Sequence, residues 1–113
     1  MSLKILCCLL LLCVSVLVAC QSKAERQVAE FSALIEDDPN NVSAYISRCA
    51  LYARSGAYAE AVDDCTAALE RTPNSLDALQ NRAYAYQQWG KAELAAADWE
   101  ILLGLVEDSE SLL

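Results

Sequence analysis

The feature that most restricts what this chain can fold into is a repeat of 34 residues. Pro39 and Pro73 stand 34 positions apart, and so do Tyr52 and Tyr86, Gly56 and Gly90, Ala61 and Ala95, and Asp64 and Asp98. Phe31, Cys65 and Trp99 form a longer series at the same step, as do Ile35, Leu69 and Leu103. A unit this short has no closed core, so copies must bury their apolar faces on one another. Inside each copy the apolar spacing is helical. Tyr45, Cys49 and Tyr52 make a stripe in residues 45–54, which Ser55-Gly56 ends because glycine readily takes the positive φ of a helix C-terminus. Residues 58–71 resume with Ala61, Cys65, Ala68 and Leu69. Thr72-Pro73-Asn74 ends them, since proline cannot continue a helix and disfavours helical backbone in the residue before it. Ser75, or Asn74, is placed to cap a helix over residues 76–89, which stops at Gly90 and is followed by one over residues 92–103. Residues 23–37 read as a lone helix closed by Asp38-Pro39-Asn40-Asn41.

These residues resemble the tetratricopeptide repeat (TPR) family, whose motif sets a large residue, Leu-Gly-x-x-Tyr, an alanine, an aromatic, another alanine and a proline on a 34-residue period. The matches are Tyr45, Tyr52, Gly56, Tyr58, Ala61, Ala68 and Pro73 in the first full unit, and Leu79, Ala83, Tyr86, Gly90, Ala95 and Trp99 in the second. The resemblance implies an all-α fold, a short right-handed α-solenoid of antiparallel helix pairs with about two and a half TPR units. Its parts would be repeats at residues 42–75 and 76–104, a partial repeat at 23–41 and a tail at 105–113. Arg48-Cys49 and Arg82-Ala83 depart from the family's Leu-Gly, although Cys49 and Ala83 are still small. Leu102 replaces an expected small residue, and Gly104 falls where helix is expected.

The resemblance also implies a site: a concave surface formed by the first helix of each unit, suited to an extended peptide or a partner helix. Carried over position by position, that face comprises Ile46, Ala50 and Arg54, with Ser43 and Ala53, in the first unit. In the second it comprises Asp77, Gln80, Asn81, Tyr84, Gln87 and Gln88. The bland alternative is that these are ordinary solvated helix faces. Ile46 and Ala50 stand where some cytosolic members carry the Lys and Asn of a carboxylate clamp, so a chaperone-tail clamp is not expected despite Asn81.

The first 20 residues have a different character. Lys4 gives a short, positively charged start, and residues 5–19 are apolar apart from Ser15. That is the layout of a secretory signal peptide. The run of 15 residues is shorter than the roughly 20 needed to span a bilayer. Leu17-Val18-Ala19-Cys20 resembles the lipobox of bacterial lipoproteins, which implies cleavage after Ala19 and lipidation of Cys20. The alternative is an ordinary signal peptide cut near a cysteine, in a leader that already holds Cys7, Cys8 and Cys13. On the lipoprotein reading residues 1–19 are a signal peptide and residues 20–113 a helical domain of 113 − 19 = 94 residues. By the same resemblance, Gln21 leans towards the outer membrane, facing the periplasm.

Eight basic residues against 16 acidic ones give a net charge of −8, which argues against nucleic-acid binding and against charge-driven docking on anionic lipid. With no histidine, the commonest general base and metal ligand is missing, and no phosphate loop or metal motif stands in its place. The expectation is a chain that is not an enzyme, with no metal and no cofactor beyond a covalent lipid. Arg48 with Asp64, and Arg82 with Asp98, share an offset of 16 and read as repeated structural salt bridges across each helix hairpin. Cys49 and Cys65 lie on facing sides of one hairpin, either as a disulfide, which oxidising export permits, or as two small core residues. The function this suggests is a membrane-anchored scaffold holding a protein or peptide partner in a bacterial envelope assembly, such as secretion, pilus or outer-membrane machinery. The alternative is a self-associating structural lipoprotein without a groove ligand, in which the end with Leu105, Val106, Leu112 and Leu113 either covers the last repeat or pairs with another chain as a homo-oligomer.

Overall fold

Prolines and glycines at repeated positions cut the chain into five helices. In the computed structural model, which describes residues 2–111, these are α1 (Leu3–Asp37), α2 (Val42–Arg54), α3 (Tyr58–Arg71), α4 (Leu76–Gln88) and α5 (Ala92–Ser111). No strand occurs among the described residues. Each full unit opens with a side-chain cap on an otherwise orphan backbone donor. The Asn41 side chain accepts from the Ala44 N–H at 3.1 Å, and the Ser75 hydroxyl accepts from the Ala78 N–H at 3.2 Å. The Asn41 cap also explains why α2 starts at Val42, three residues before the expected stripe.

The turn inside each unit is one motif built twice. Gly56 and Gly90 take φ of +84° and +81°, a region costly for any residue with a Cβ. Around them Ala57 N–H donates to Tyr52 C=O and Lys91 N–H donates to Tyr86 C=O, both at 2.9 Å. Gly56 and Gly90 donate in turn to Ala53 and Gln87. This is the Schellman arrangement, which satisfies the last helical carbonyls and reverses the chain.

The helices stack in sequence. α2 pairs with α3 and α4 with α5, α1 lies on α2, and α3 lies on α4. α2 and α4 also approach each other, whereas no such approach joins α1 to α3 or α3 to α5. The stack therefore curves towards α2 and α4. This is an all-α, TPR-like solenoid of adjacent helix pairs. Its core is made of small side chains. Leu79, Cys49 and Cys65 are the largest that are fully buried, and Ala61, Ala68, Ala78, Ala83 and Ala85 fill most of the rest at 0% exposure. Small residues let helix axes approach closely but bury little apolar area each.

Two helices are longer than their sequence patterns predict. α1 does not begin near residue 23 but runs unbroken from Leu3, because nothing from there to Asp37 is a glycine or proline. Its first half is open to solvent, and it is the single described helix long and apolar enough to cross a membrane. α5 passes residue 103 and Gly104 and continues to Ser111. A glycine inside a helix costs about 1 kcal/mol relative to alanine, which weakens the element without ending it. Leu102 sits half-buried where α3 has the fully buried Ala68. Leu112 and Leu113, two of the candidate self-association contacts, lie outside the described residues.

Candidate functional site

The polar residues that the repeat places inside the stack are two copies of one triad. The Arg48 guanidinium of α2 donates through Nε and Nη2 to the two carboxylate oxygens of Asp64 in α3, both at 2.7 Å. Its Nη1 donates to Ser32 Oγ of α1 at 2.9 Å. One unit later, Arg82 of α4 donates to both oxygens of Asp98 in α5, at 2.8 and 2.6 Å, and to Thr66 Oγ1 of α3 at 3.3 Å. Each arginine thus joins three consecutive helices, with its partners 16 residues to either side. The acids are almost enclosed, with side-chain exposures of 8% and 3%, while the arginines keep 20% and 19%. Hydrogen bonding to the carboxylate is the main cause that raises both guanidinium pKa values above their ordinary range, with burial working against it. Both side chains also lie over the motif tyrosines, Arg48 5.9 Å from the Tyr52 ring centre and Arg82 6.0 Å from that of Tyr86. Bidentate pairs of this kind fix orientation as well as adding energy.

Beside the first triad, Cys49 and Cys65 are joined as a disulfide, with Cα atoms 5.6 Å apart. The same positions in the second unit are Ala83 and Trp99, so only the first hairpin carries this link. Cys7, Cys8 and Cys13 in the first half of α1 are exposed thiols. The side chain of Cys20, the expected lipidation site, lies outside the described residues, and its backbone belongs to α1. No group of three or more acidic, cysteine or histidine side chains placed to hold a metal occurs among the described residues.

The inner side of the curve is the face of α2 and α4. Asp77, Gln80, Tyr84, Gln87 and Gln88 of α4 are exposed there, Tyr84 at 43%. Asn81 is half-buried, as are Ile46 and Ala50 of α2. Arg54 is exposed, and it borders a shallow groove against Lys23, Ala24 and Gln27 of α1. Ala53 is a correction to the carried-over face, because it is 4% exposed and belongs to the core with Cys49, Ala61 and Cys65. The helix register turns it inward, and the methyl side chain suits a tight crossing. Ser32 and Thr66 were missed as partners of the arginines. Their signal was present, since each lies 16 residues before its arginine and 34 from the other.

The fold and the repeated triads define a class, a TPR-like helical repeat whose inner helix face is open. No protein-family model matches the chain. It is 33% identical over 90 residues to the mitochondrial import receptor subunit TOM34 of Rattus norvegicus, which covers 79% of this chain and 29% of that protein. The Mus musculus protein of the same name is matched equally, at 33% over 90 residues. Sperm-associated antigen 1A of Danio rerio is 35% identical over 68 residues, which is 59% of this chain and 16% of that protein. The chain therefore spans less than a third of the length of these relatives. These similarities and the all-helical paired architecture fit TPR-like repeats.

Proposed function

We propose that this chain is a protein-interaction module tethered to a membrane through lipid on Cys20, serving as a scaffold in a bacterial envelope assembly rather than as an enzyme. The observation that carries the interaction role is the approach of α2 and α4 to each other, which turns the polar, exposed side of α4 towards the inside of the curve. Gln80, Gln87 and Gln88 offer both donors and acceptors to a peptide backbone, and Tyr84 adds a rigid amphipathic ring. Asp77, in the first turn of α4, biases the face towards a ligand with positive charge. The relatives' names include an import receptor subunit, which is in keeping with a role in holding another protein. The tether rests on the sequence Leu17-Val18-Ala19-Cys20 and on the apolar half of α1, whose residues 3–18 are all exposed. Lipid chains contribute about 0.8 kcal/mol per buried CH₂, so two or more hold a domain on a bilayer.

Two measurements test the two parts separately. A photo-crosslinking side chain placed at Tyr84 or Gln87 in the native membrane should capture a defined protein, while the same group at Glu70 on the opposite side should not. Capture from Glu70 with none from Tyr84 or Gln87 would overturn the inner-face reading. Metabolic labelling with an alkyne fatty acid should mark the wild type and not the Cys20→Ser protein, which should be released from the membrane or remain uncut. A Cys20→Ser protein that is cut and membrane-bound as before would overturn the lipid anchor and leave the interaction role standing.

A further inference from the structure

The repeat register shows what the outer face of each second helix is built to meet. In α3, Val62, Thr66 and Leu69 share one face by their spacing of four and three and are half-buried, and Val62 packs on the cluster that holds Ala85 of α4. Thr66 is the point of that face that receives Nη1 of Arg82. One unit earlier, Ser32 of α1 receives Arg48 in the same way. The next member of this series is Glu100 of α5, flanked at the same spacing by Ala96 and Leu103. All three are exposed, Leu103 at 63%.

Part of α5 keeps its cover. Ala95 and Asp98 stay buried, as Ala61 and Asp64 are in α3. Trp99, which borders this face, is 39% exposed where α3 has the buried Cys65. The open side is thus the one that a following helix covers elsewhere in the stack, with its hydroxyl replaced by a carboxylate. α5 carries six acidic residues and no lysine or arginine, and among the described residues only Asp98 is paired with a base.

We propose that this outer face of α5 is a docking site for an amphipathic helix of a partner protein, seated as α4 sits on α3, with an arginine or lysine of the partner against Glu100. Ser32 and Thr66 each accept from a single guanidinium N–H, whereas a carboxylate in their place adds the opposite charge and accepts two parallel bonds from one arginine. The chain's own occupants of this position show the pattern the partner should carry. A large apolar residue precedes the base by three positions and a tyrosine follows it by four: Tyr45, Arg48 and Tyr52 in α2, and Leu79, Arg82 and Tyr86 in α4. A second copy of this chain is a poor occupant. Its arginines of this pattern are already committed to Asp64 and Asp98, and two α5 faces would oppose like charges.

The test uses the full chain in detergent micelles and a synthetic peptide with the sequence of residues 75–91, labelled for anisotropy, with empty micelles as the blank. Saturable binding to the wild type is expected, weakened at least about tenfold by Glu100→Arg. A peptide carrying Arg82→Glu should restore most of the affinity to the Glu100→Arg chain, and Glu70→Arg in the chain, the same charge change on exposed α3 surface, should leave binding unchanged. Circular dichroism of Glu100→Arg should match the wild type, since the side chain it replaces is exposed and unpaired. No saturable binding, or binding indifferent to Glu100→Arg, overturns the proposal. So does a chain that dimerises without peptide in sedimentation and becomes monomeric with Glu100→Arg, which would assign the face to a second copy.

Discussion

Replacing Arg82 with leucine should loosen the last helix before anything else in the molecule. The guanidinium gives Asp98 two charge-assisted bonds of 2.8 and 2.6 Å, and the carboxylate side chain is only 3% exposed. Leucine keeps the helix propensity and most of the packed stem of arginine, but it strands a buried carboxylate without a counter-charge. Breaking one side of a buried pair costs about 3–5 kcal/mol. Water reaches this site past an arginine that is 19% exposed, so the expected loss is at the low end, about 3 kcal/mol. A domain of this size has about 5–15 kcal/mol in all. Among the described residues α5 packs on α4 alone, so detachment of α5 wets Asp98 at less cost than global unfolding. In urea, with a slope of about 1–3 kcal/mol per molar, the midpoint should fall by about 1–3 M. Hydrogen exchange should speed up in residues 92–103 and change little in residues 58–71, which the disulfide ties to α2. The double variant Arg82→Leu/Asp98→Leu removes the stranded charge and should regain at least half of the loss. A single variant with the wild-type midpoint and unchanged α5 protection would refute the buried-charge argument, and so would a double variant no better than the single one.

Reduction of the Cys49–Cys65 link, which closes a 16-residue separation, should cost about 3 kcal/mol, seen as a lower urea midpoint that the Cys49→Ser/Cys65→Ser protein reproduces without reductant. Equal midpoints with and without reductant in the wild type would sink this. Gly90→Ala forces a Cβ to φ +81° and should destabilise by about 1–2 kcal/mol, although open space surrounds the site. Gly104→Ala, also in open space but with helical backbone, should stabilise α5 by about 1 kcal/mol, and thermal melts of the two variants should shift in opposite directions. The pH dependence follows from the raised arginine pKa values. A group whose folded pKa is raised contributes fully below its unfolded pKa and loses its contribution only as pH rises through the folded one. For Arg48 and Arg82 that window lies in strong alkali, so the midpoint difference between wild type and Arg82→Leu should stay constant from pH 7 to 10. A difference that shrinks by half over that range would show that another group carries the effect.

What could be read from the residues was whatever repeats. The two glycine turns, the Ser75 cap and the two arginine–aspartate pairs all follow from positions 34 apart combined with local chemistry, and the structure places each of them so. The lengths of α1 and α5 did not follow, because an end is legible only where a breaker or cap marks it. Nothing marks one from Leu3 to Asp37, and Gly104 is too weak a breaker to stop a helix. Depth is not legible from an offset of 16. The pairs look like surface salt bridges when only the arginine and the acid are considered, but the hydroxyls of Ser32 and Thr66 draw a third helix over each one. The inner face is half legible, because family register says which helix lines it but not how closely α2 and α4 approach, nor that Ile46, Ala50 and Asn81 are half-buried.

These interactions are distributed unequally along the stack, and the inequality has a direction. α2 and α3 are held by a disulfide, a two-bond ion pair and the core around Cys49, and they have neighbours on both sides. α5 has one neighbour, one ion pair, an interior glycine, and Leu94, Trp99, Ile101 and Leu103 all exposed at 39% or more. Low local stability and uncovered apolar area at the same end are what a surface completed by another helix would show. The triad gives that surface a specific demand. Ser32 and Thr66 are satisfied by arginines of this chain, while Glu100, the third of their series, has no ion pair with a base among the described residues. An acid so placed favours a basic helix and repels an acidic one, so the end of the stack is selective as well as open.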